Sequence, residues 1–264
     1  MFPRVDVLGV GISAINMDMA IEAVVGWVES DDRQYVCVTG VHGVMESQRD
    51  QELIAIHNRA GLTTPDGMPM VWAGRAAGAN WMERVYGPDM MLAVLAEAQA
   101  RDWSSFFYGG APGVPEELAE RLGRRFPGLQ VAGAHSPPFR PLTPHEVEET
   151  AALINESGAS LVWIGMSTPK QERWMAELRP LLHAPVLFGV GAAFDFHAGR
   201  ITQAPPWMQR SGLEWLYRLM KEPRRLWKRY LTNNPTFVLA ILKRRPRLVP
   251  SSEMDARFLR LPKA

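Results

Sequence analysis

The chain has 264 residues, 47% hydrophobic and 22% charged, which is enough for one large domain or for a domain with an appendage. Its single cysteine, Cys37, lies in an apolar run, so an internal disulfide and a cysteine-based zinc site are excluded, and a buried strand residue is favoured over a catalytic thiol. We expect no signal peptide and no membrane-spanning helix, because the start of the chain lacks the signal pattern and no apolar run approaches roughly 18 residues.

The charge is unevenly distributed along the chain, although the net charge is only +1. Residues 200–264 contain 15 Lys and Arg against 4 Asp and Glu, whereas residues 1–199 contain 14 against 24. We therefore predict an acidic α/β body, residues 1–195, and a basic C-terminal appendage, residues 196–264. Such an appendage suits a polyanion: phosphate, nucleic acid or an anionic membrane face.

Short apolar runs alternate with helical patterns along most of the chain. Strands are predicted over 5–12, 34–39, 103–108, 129–132, 160–166 and 185–190. Helices are predicted over 17–28, 41–58, 70–77, 88–101, 114–126, 144–157 and 168–182. Apolar runs of this length are typical of parallel strands covered on both faces. The predicted fold class is α/β, a Rossmann-like, mostly parallel sheet with helices on both faces.

Basic and aromatic residues alternate in the appendage. A helix is predicted over 212–221, and Pro223 suits the first position of a further helix. Four cations recur at roughly helical spacing, with three tryptophans between or before them: Arg218, Lys221, Arg225, Arg229, Trp207, Trp215 and Trp227. The pattern fits an interfacial membrane helix and a solvated basic face packed on the body equally well.

Asp66 lies in the segment Thr64-Pro65-Asp66-Gly67, in which Pro and Gly predict a tight connection at the end of a strand. In an open α/β sheet this edge binds ligands, although most such triplets only form a turn or cap a helix. The other predicted strand ends, at 39, 109–113, 133–135, 167–171 and 189–195, would meet at the same edge. The glycine-rich loop 109–113 is compatible with a phosphate cradle and with an ordinary strand-to-helix loop.

Two further patterns concern cofactors. Residues 9–14 match the dinucleotide fingerprint with Ala in the third position, so a dinucleotide-dependent oxidoreductase is the alternative function. The next predicted strand ends in Val38-Thr39-Gly40, however, where an acidic ribose partner is expected. The six histidines show no metal-ligand spacing and no Asp-x-Asp occurs, so neither a metal nor another cofactor is predicted.

Six motifs together resemble the WecG/TagA/CpsF family of bacterial glycosyltransferases, over about residues 5–230. They are Thr64-Pro65-Asp66-Gly67, Arg84-Val85-Tyr86-Gly87-Pro88-Asp89, Gly109-Gly110-Ala111-Pro112-Gly113, Gly165-Met166-Ser167-Thr168-Pro169-Lys170-Gln171-Glu172, Gly189-Val190-Gly191 with Phe194-Asp195, and Ala204-Pro205 with Gly212-Leu213-Glu214-Trp215 and Glu222-Pro223-Arg224-Arg225.

The resemblance implies a metal-independent, inverting transfer from a UDP-sugar to a polyprenyl-diphosphate-linked glycan, on the cytoplasmic face of the membrane. Asp66 matches the general base, and Gln171 and Arg84 match pocket residues. Arg218, Arg225 and Arg229 match arginines that hold the acceptor diphosphate. The substrate-binding residues expected on this basis are Thr39, Gly109, Gly110, Gly113, His135, Gly165, Lys170 and Asp195. Self-association is left open, and nucleic acid is not expected as a partner.

One departure from the family pattern concerns sugar specificity. The family commonly has Thr-Pro-Asn where this chain has Thr39-Gly40-Val41, so an amide expected to contact the substrate is missing. His42 is either its substitute or a helix-start residue without a catalytic role.

Overall fold

The computed structural model describes residues 2–250, which contain nine strands and twelve helices. The strands are β1 (Arg4–Val7), β2 (Val10–Ser13), β3 (Gln34–Thr39), β4 (Leu62–Pro65), β5 (Ser104–Gly109), β6 (Gln130–His135), β7 (Leu161–Gly165), β8 (Val186–Gly189) and β9 (Arg247–Val249). The helices are α1 (Met17–Ser30), α2 (Val41–Ser47), α3 (Gln51–Arg59), α4 (Met68–Ala76), α5 (Gly87–Ala100), α6 (Val114–Arg125), α7 (Pro144–Glu156), α8 (Lys170–Leu178), α9 (Ala193–His197), α10 (Pro206–Arg210), α11 (Glu214–Lys221) and α12 (Pro223–Lys243).

The larger sheet has six strands in the order β4-β3-β8-β7-β5-β6. The pairs β3–β8, β8–β7, β7–β5 and β5–β6 are all parallel. Strand side chains such as Val36, Phe107 and Trp163 are fully buried, as expected for strands covered by helices on both faces. The predicted α/β class, with a mostly parallel sheet and C-terminal helices after it, is confirmed.

The smaller sheet differs from the prediction of one strand over 5–12. The chain reverses at Leu8 and Gly9, both with positive φ (57° and 97°), so β1 and β2 form an antiparallel hairpin. Strand β9 pairs with the other edge of β1. The fingerprint residues 9–14 therefore lie in a hairpin, whereas a dinucleotide loop must connect a strand to a helix. The structural context for the oxidoreductase alternative is missing.

Several other boundaries differ from prediction, including the end of α8, which lies at Leu178 and not at residue 182. The helix predicted over 41–58 is two helices, α2 and α3, because Asp50 caps α3 by accepting hydrogen bonds from the backbone N–H groups of Glu52 and Leu53. Strand β6 continues to His135, three residues beyond the predicted end. Pro223 lies at the start of α12, as predicted.

The chain divides into two compact units. The first unit comprises residues 2–17, Val38–Tyr86 and residues 203–250, and the second comprises Asp18–Cys37 and Gly87–Thr202. The boundary proposed at residues 195 and 196 stays a prediction, and the part of that appendage over 251–264 lies outside the described residues.

In the first unit, the hairpin, α4 and α12 share one apolar cluster that includes Val5, Val10, Met70 and Phe237. Helix α12 also packs against α2 and α11. In the second unit, α6 packs against strands β5 and β6 and against α9. Within residues 2–250, no helix has both the length and the apolar character needed to cross a membrane.

Candidate active site

The connection between β4 and α4 holds Asp66 in the first unit. The Asp66 N–H donates to the Thr39 carbonyl at 3.1 Å, and the Val85 N–H donates to the Pro65 carbonyl at 3.1 Å. Gly67 follows with φ of 91° and caps α4, a conformation that favours glycine. Asp66 therefore lies at the end of a strand, on the tight connection that the Pro-Asp-Gly sequence predicts, and its residue surface remains partly exposed.

Gly40, which directly follows β3, lies close to Asp66. A Cβ atom at position 40 would lie 2.7 Å from the Asp66 carbonyl oxygen and 3.6 Å from its Oδ2. The absence of a side chain at Gly40 thus lets the end of β3 approach Asp66 closely. The hydroxyl Oγ1 of the neighbouring Thr39 is buried and has no hydrogen-bond partner in the part of the chain that the structure describes.

A network of polar side chains surrounds Arg84 in the same unit. Arg84 donates to Glu214 Oε2 at 3.0 Å and to Gln209 Oε1 at 2.5 Å. The Tyr86 hydroxyl donates to Glu214 Oε1 at 2.7 Å. The Arg84 guanidinium also lies 4.3 Å from the centre of the Tyr86 ring. Helices α10 and α11 are thereby attached to the segment that follows α4.

The environment raises the pKa of Asp66 to about 7. Burial is the largest cause and the negative charge of Glu214 the second, and three cations oppose them: Arg84, Arg218 and Arg229. A carboxyl group with this pKa is about half ionised at neutral pH. It is therefore suited to accept a proton there, which an ordinary aspartate does poorly.

The three arginines predicted to hold a diphosphate have different surroundings. Arg218 and Arg229 both act electrostatically on Asp66. Burial lowers the pKa of Arg229, and repulsion from Arg218 and Arg225 adds to this. Arg225 is exposed and pairs with Glu222, the N-cap residue of α12. The structure thus brings two of the three cations into the electrostatic environment of Asp66.

Val41 and His42, at the departure from the family pattern, both have structural partners. Val41 packs against the apolar cluster of the first unit. The His42 Nδ1 lies 3.2 Å from Asn233 Nδ2 and 3.7 Å from Glu46 Oε1. Asn233 also accepts a hydrogen bond from Arg49, at 3.2 Å. These contacts favour a role for His42 in joining α2 to α12.

The glycine-rich loop of the second unit follows β5. Gly109, Gly110 and Gly113 have φ of 120°, 73° and 85°. The Gly110 N–H donates to the Gly165 carbonyl at 2.9 Å, and a Cβ at Gly109 would lie 2.9 Å from Gly165 backbone atoms. Gly113 then caps α6 in the left-handed conformation. The loop brings two strand ends into backbone contact before the N-terminus of a 12-residue helix.

Gln171 is buried at the start of α8, in the same unit. Its Nε2 donates to the Gly189 carbonyl at 3.1 Å, whereas its Oε1 has no hydrogen-bond partner within residues 2–250. A Cβ at Gly191 would lie 3.3 Å from that Oε1, so glycine leaves it space. A buried polar atom of this kind is unusual in a folded protein and is suited to a ligand.

The remaining predicted residues of the second unit lie on separate elements. The Lys170 Nζ lies 4.9 Å from the centre of the exposed Phe139 ring. His135 stacks on Tyr108 at 5.7 Å, beside a cavity of about 260 Å³. Asp195 is in α9, where its carbonyl accepts from the Arg200 N–H at 2.9 Å. Among the described residues, no group of three or more His, Cys, Asp or Glu side chains could hold a metal ion.

The predicted site residues thus fall into two sets. The first unit holds Thr39, Asp66, Arg84, Arg218, Arg225 and Arg229, and the second holds Gly109, Gly110, Gly113, His135, Gly165, Lys170, Gln171 and Asp195. Sequence reasoning missed Tyr86, Gln209 and Glu214. Tyr86 and Glu214 lie within motifs that were recognised, but their contact joins residues 128 positions apart.

Comparison with known proteins shows the family to which the chain belongs. Residues 5–250 match the family model described as Glycosyl transferase WecG/TagA/CpsF family. The chain is also similar to a protein of Bacillus spizizenii (strain ATCC 23059 / NRRL B-14472 / W23) named N-acetylglucosaminyldiphosphoundecaprenol N-acetyl-beta-D-mannosaminyltransferase. The two are 32% identical over 198 residues, which are 75% of this chain and 74% of the relative.

A protein of Bacillus subtilis (strain 168) with the same name is 28% identical over 195 residues, 74% of this chain and 73% of that protein. These matches define the class of the protein, which is a glycosyltransferase. The chain belongs to the WecG/TagA/CpsF family, since the family match spans residues 5–250 of 264.

Proposed function

We propose that the protein is an inverting, metal-independent glycosyltransferase that moves an N-acetylmannosaminyl group from a UDP-sugar to a polyprenyl-diphosphate-linked N-acetylglucosamine. The names of the two similar Bacillus proteins support this donor group and this acceptor. Such a transfer belongs to the synthesis of bacterial surface polysaccharides.

The observation that carries the mechanism is the position of Asp66 at the end of β4, as a residue that is not fully buried and whose carboxyl group has a pKa raised to about 7. An acceptor hydroxyl attacks the anomeric carbon of the donor, and its proton passes to Asp66. The bond between that carbon and the diphosphate oxygen breaks, and UDP leaves with the bonding electrons. Attack from the face opposite UDP inverts the anomeric configuration.

The cations near Asp66 suit the diphosphate of the acceptor. Arg218 and Arg229 act on Asp66 from α11 and α12, and guanidinium groups bind phosphate through charge-assisted hydrogen bonds. Arg225 is exposed on the first turns of α12 and contributes a third positive charge. We assign the acceptor diphosphate to these three arginines.

We assign donor binding to buried side-chain oxygens without a hydrogen-bond partner among the described residues and to the backbone N–H groups of the glycine-rich loop. The buried Oγ1 of Thr39 and Oε1 of Gln171 are candidates for hydrogen bonds to the sugar or its diphosphate. The glycine-rich loop before α6 offers backbone N–H groups and a helix N-terminus to phosphate. Gly165, Lys170, His135 and Asp195 remain predicted contributors to donor binding.

The C-terminal helices carry a membrane-binding surface in this proposal. Several large apolar side chains on α10 to α12 are exposed: Trp207, Leu216, Met220, Trp227, Leu231, Val238, Leu239 and Leu242. Basic residues such as Arg224 and Lys228 are exposed on α12 as well. Apolar side chains combined with basic ones bind an anionic membrane surface, which is where a lipid-linked acceptor is found.

The experiment measures UDP release from UDP-N-acetylmannosamine with a short-chain polyprenyl-diphosphate N-acetylglucosamine as acceptor. Asp66→Asn should lower kcat by about 100-fold or more while UDP binding persists, because the general base is removed. The control is Asp32→Asn, since Asp32 is an exposed surface aspartate. Unchanged turnover of Asp66→Asn would remove Asp66 from the base role, and UDP release only with another UDP-sugar would reject the proposed donor.

A further inference from the structure

Glu214, the first residue of α11, accepts hydrogen bonds from two side chains of the segment that precedes α5. One carboxylate oxygen accepts from Arg84 at 3.0 Å and the other accepts from the Tyr86 hydroxyl at 2.7 Å. The Arg84 and Glu214 side chains are only 14% and 18% exposed, so this ion pair is largely shielded from water. A shielded, hydrogen-bonded ion pair holds its partners in place far better than a surface pair does.

Arg84 is held from a second side as well. Its other terminal nitrogen donates to Gln209 Oε1 at 2.5 Å, and the Gln209 Nε2 in turn donates to the Ala204 carbonyl at 2.7 Å. The guanidinium also lies over the Tyr86 ring. The orientation of Arg84 is therefore fixed by residues from α10, α11 and its own segment.

We propose that Glu214 is a positioning residue for glycosyl transfer: its two hydrogen bonds hold Arg84 and Tyr86 on the segment whose Val85 N–H binds the Pro65 carbonyl, next to Asp66. This inference rests on the proposed role of Asp66 as the general base. Nothing in the comparisons assigns a role to Glu214.

The charges that act on Asp66 support this role. Glu214 is the second cause, after burial, of the raised pKa of Asp66, and it acts against the positive charges of Arg84, Arg218 and Arg229. Without Glu214, the three cations would act on Asp66 without the negative charge that now opposes them. The pKa of Asp66 would fall, and the carboxylate would become a weaker base.

Tyr86 is a neutral hydrogen-bond donor to Glu214. Burial raises its pKa, and the charges of Glu214 and Asp66 raise it further, so the phenol keeps its proton at any pH used in an assay. Tyr86 therefore serves as a hydrogen-bond donor to Glu214 and does not titrate with Asp66. The acid limb of a pH–rate profile should report Asp66 without interference from this phenol.

The test is the pH dependence of kcat/KM for Glu214→Gln, measured by UDP release with the donor and acceptor named above. Glutamine keeps the size of the side chain but removes the charge. We expect the acid limb to move to lower pH by about one unit. We also expect kcat/KM at pH 8 to fall about tenfold or more, because Arg84 loses its charged partner. The control, Glu120→Gln, removes the same charge from an exposed Glu–Arg pair on α6 and should leave the profile unchanged.

Glu214→Asp provides a second test that holds even if the glutamine variant does not fold. Aspartate keeps the charge on a shorter arm, so kcat/KM should fall while the acid limb stays within about 0.3 pH unit. An acid limb that does not move in a folded Glu214→Gln, or full activity of Glu214→Asp, overturns the inference.

Asp66→Asn distinguishes a failure of the proposed role of Glu214 from a failure of the proposed base role of Asp66. If Asp66→Asn is inactive and the acid limb of Glu214→Gln does not move, the role of Glu214 is rejected and the base role of Asp66 stands. If Asp66→Asn retains full turnover, the base role fails first, whatever the Glu214 variants do.

Discussion

The raised pKa of Asp66 has a consequence for stability that needs no substrate to measure. The pKa is 3.8 for an ordinary aspartate and about 7 in the folded protein. Because the folded value is the higher one, folding is favoured with Asp66 protonated. The stabilisation of the folded protein by protonated Asp66 is fully present below about pH 4 and is lost as the pH rises through 7.

The size of the effect follows from the two pKa values. By linkage, ionisation of Asp66 lowers the free energy of unfolding by about 2 kcal/mol at pH 5 and about 4 kcal/mol at pH 8. Asparagine cannot ionise, so Asp66→Asn removes this cost. The variant should therefore gain about 2 kcal/mol in stability relative to the native protein between pH 5 and pH 8, allowing for the partial exposure of Asp66.

The assay is urea denaturation followed by tryptophan fluorescence, with the native protein and Asp66→Asn compared at both pH values. Groups that titrate equally in the two proteins cancel in this comparison. Asp32→Asn is the control, because an exposed aspartate should give the same difference at both pH values. If the stability difference between Asp66→Asn and the native protein is the same at pH 5 and pH 8, the pKa of Asp66 is not raised and the reasoning fails.

Three further predictions concern binding, backbone strain and the membrane. Arg218→Gln should raise the KM for the lipid-linked acceptor about tenfold or more, with a much smaller change for the UDP-sugar, and equal changes would contradict its role at the diphosphate. Gly109→Ala should destabilise the fold by about 2 kcal/mol or more, because φ is 120° and the new Cβ would lie 2.9 Å from Gly165 backbone atoms. The control, Gly123→Ala, has open space in α6 and should stabilise the fold by up to about 1 kcal/mol. Thermal or urea denaturation compares the two, and equal effects would be the contrary result. Leu231→Ser combined with Leu242→Ser should weaken sedimentation with anionic vesicles at high salt, and unchanged binding would exclude these exposed side chains from the membrane contact.

The position of Asp66 could be predicted because its causes are local. Proline and glycine mark the end of β4, and Gly67 supplies the positive φ that the start of α4 requires. Alternation of apolar runs with helices predicted the sheet for a similar reason, since most residues of β3, β5, β7 and β8 are buried, whereas the edge strand β6 is not.

The hairpin of β1 and β2 could not be predicted in the same way. Its turn contains Leu8 at positive φ, and an apolar residue in that conformation carries no turn signal. Val5 to Ile12 are apolar on both sides of the turn, so they read as one buried strand. Here tertiary packing against the apolar cluster of the first unit outweighs the local preference of Leu8.

The raised pKa of Asp66 could not be predicted from the sequence either, because its causes are not local. Burial, Glu214 and the arginines of α11 and α12 act together on a residue that precedes them in the chain by about 150 positions. Only the sign of the required shift could be argued in advance: an aspartate that serves as a base near neutral pH needs a raised pKa.

The C-terminal helices combine two properties in one segment. They supply Gln209, Glu214, Arg218 and Arg229 to the surroundings of Arg84 and Asp66, and they expose the apolar side chains proposed to contact the membrane. If these helices moved away, Asp66 would lose the Glu214 charge that raises its pKa and the Arg218 and Arg229 charges that lower it, and Arg84 would lose its hydrogen bonds to Gln209 and Glu214. The charge state of the proposed base therefore depends on the same helices that are proposed to meet the lipid-linked acceptor. In this proposal, an enzyme molecule whose C-terminal helices are not in place would have neither a tuned base nor a bound acceptor.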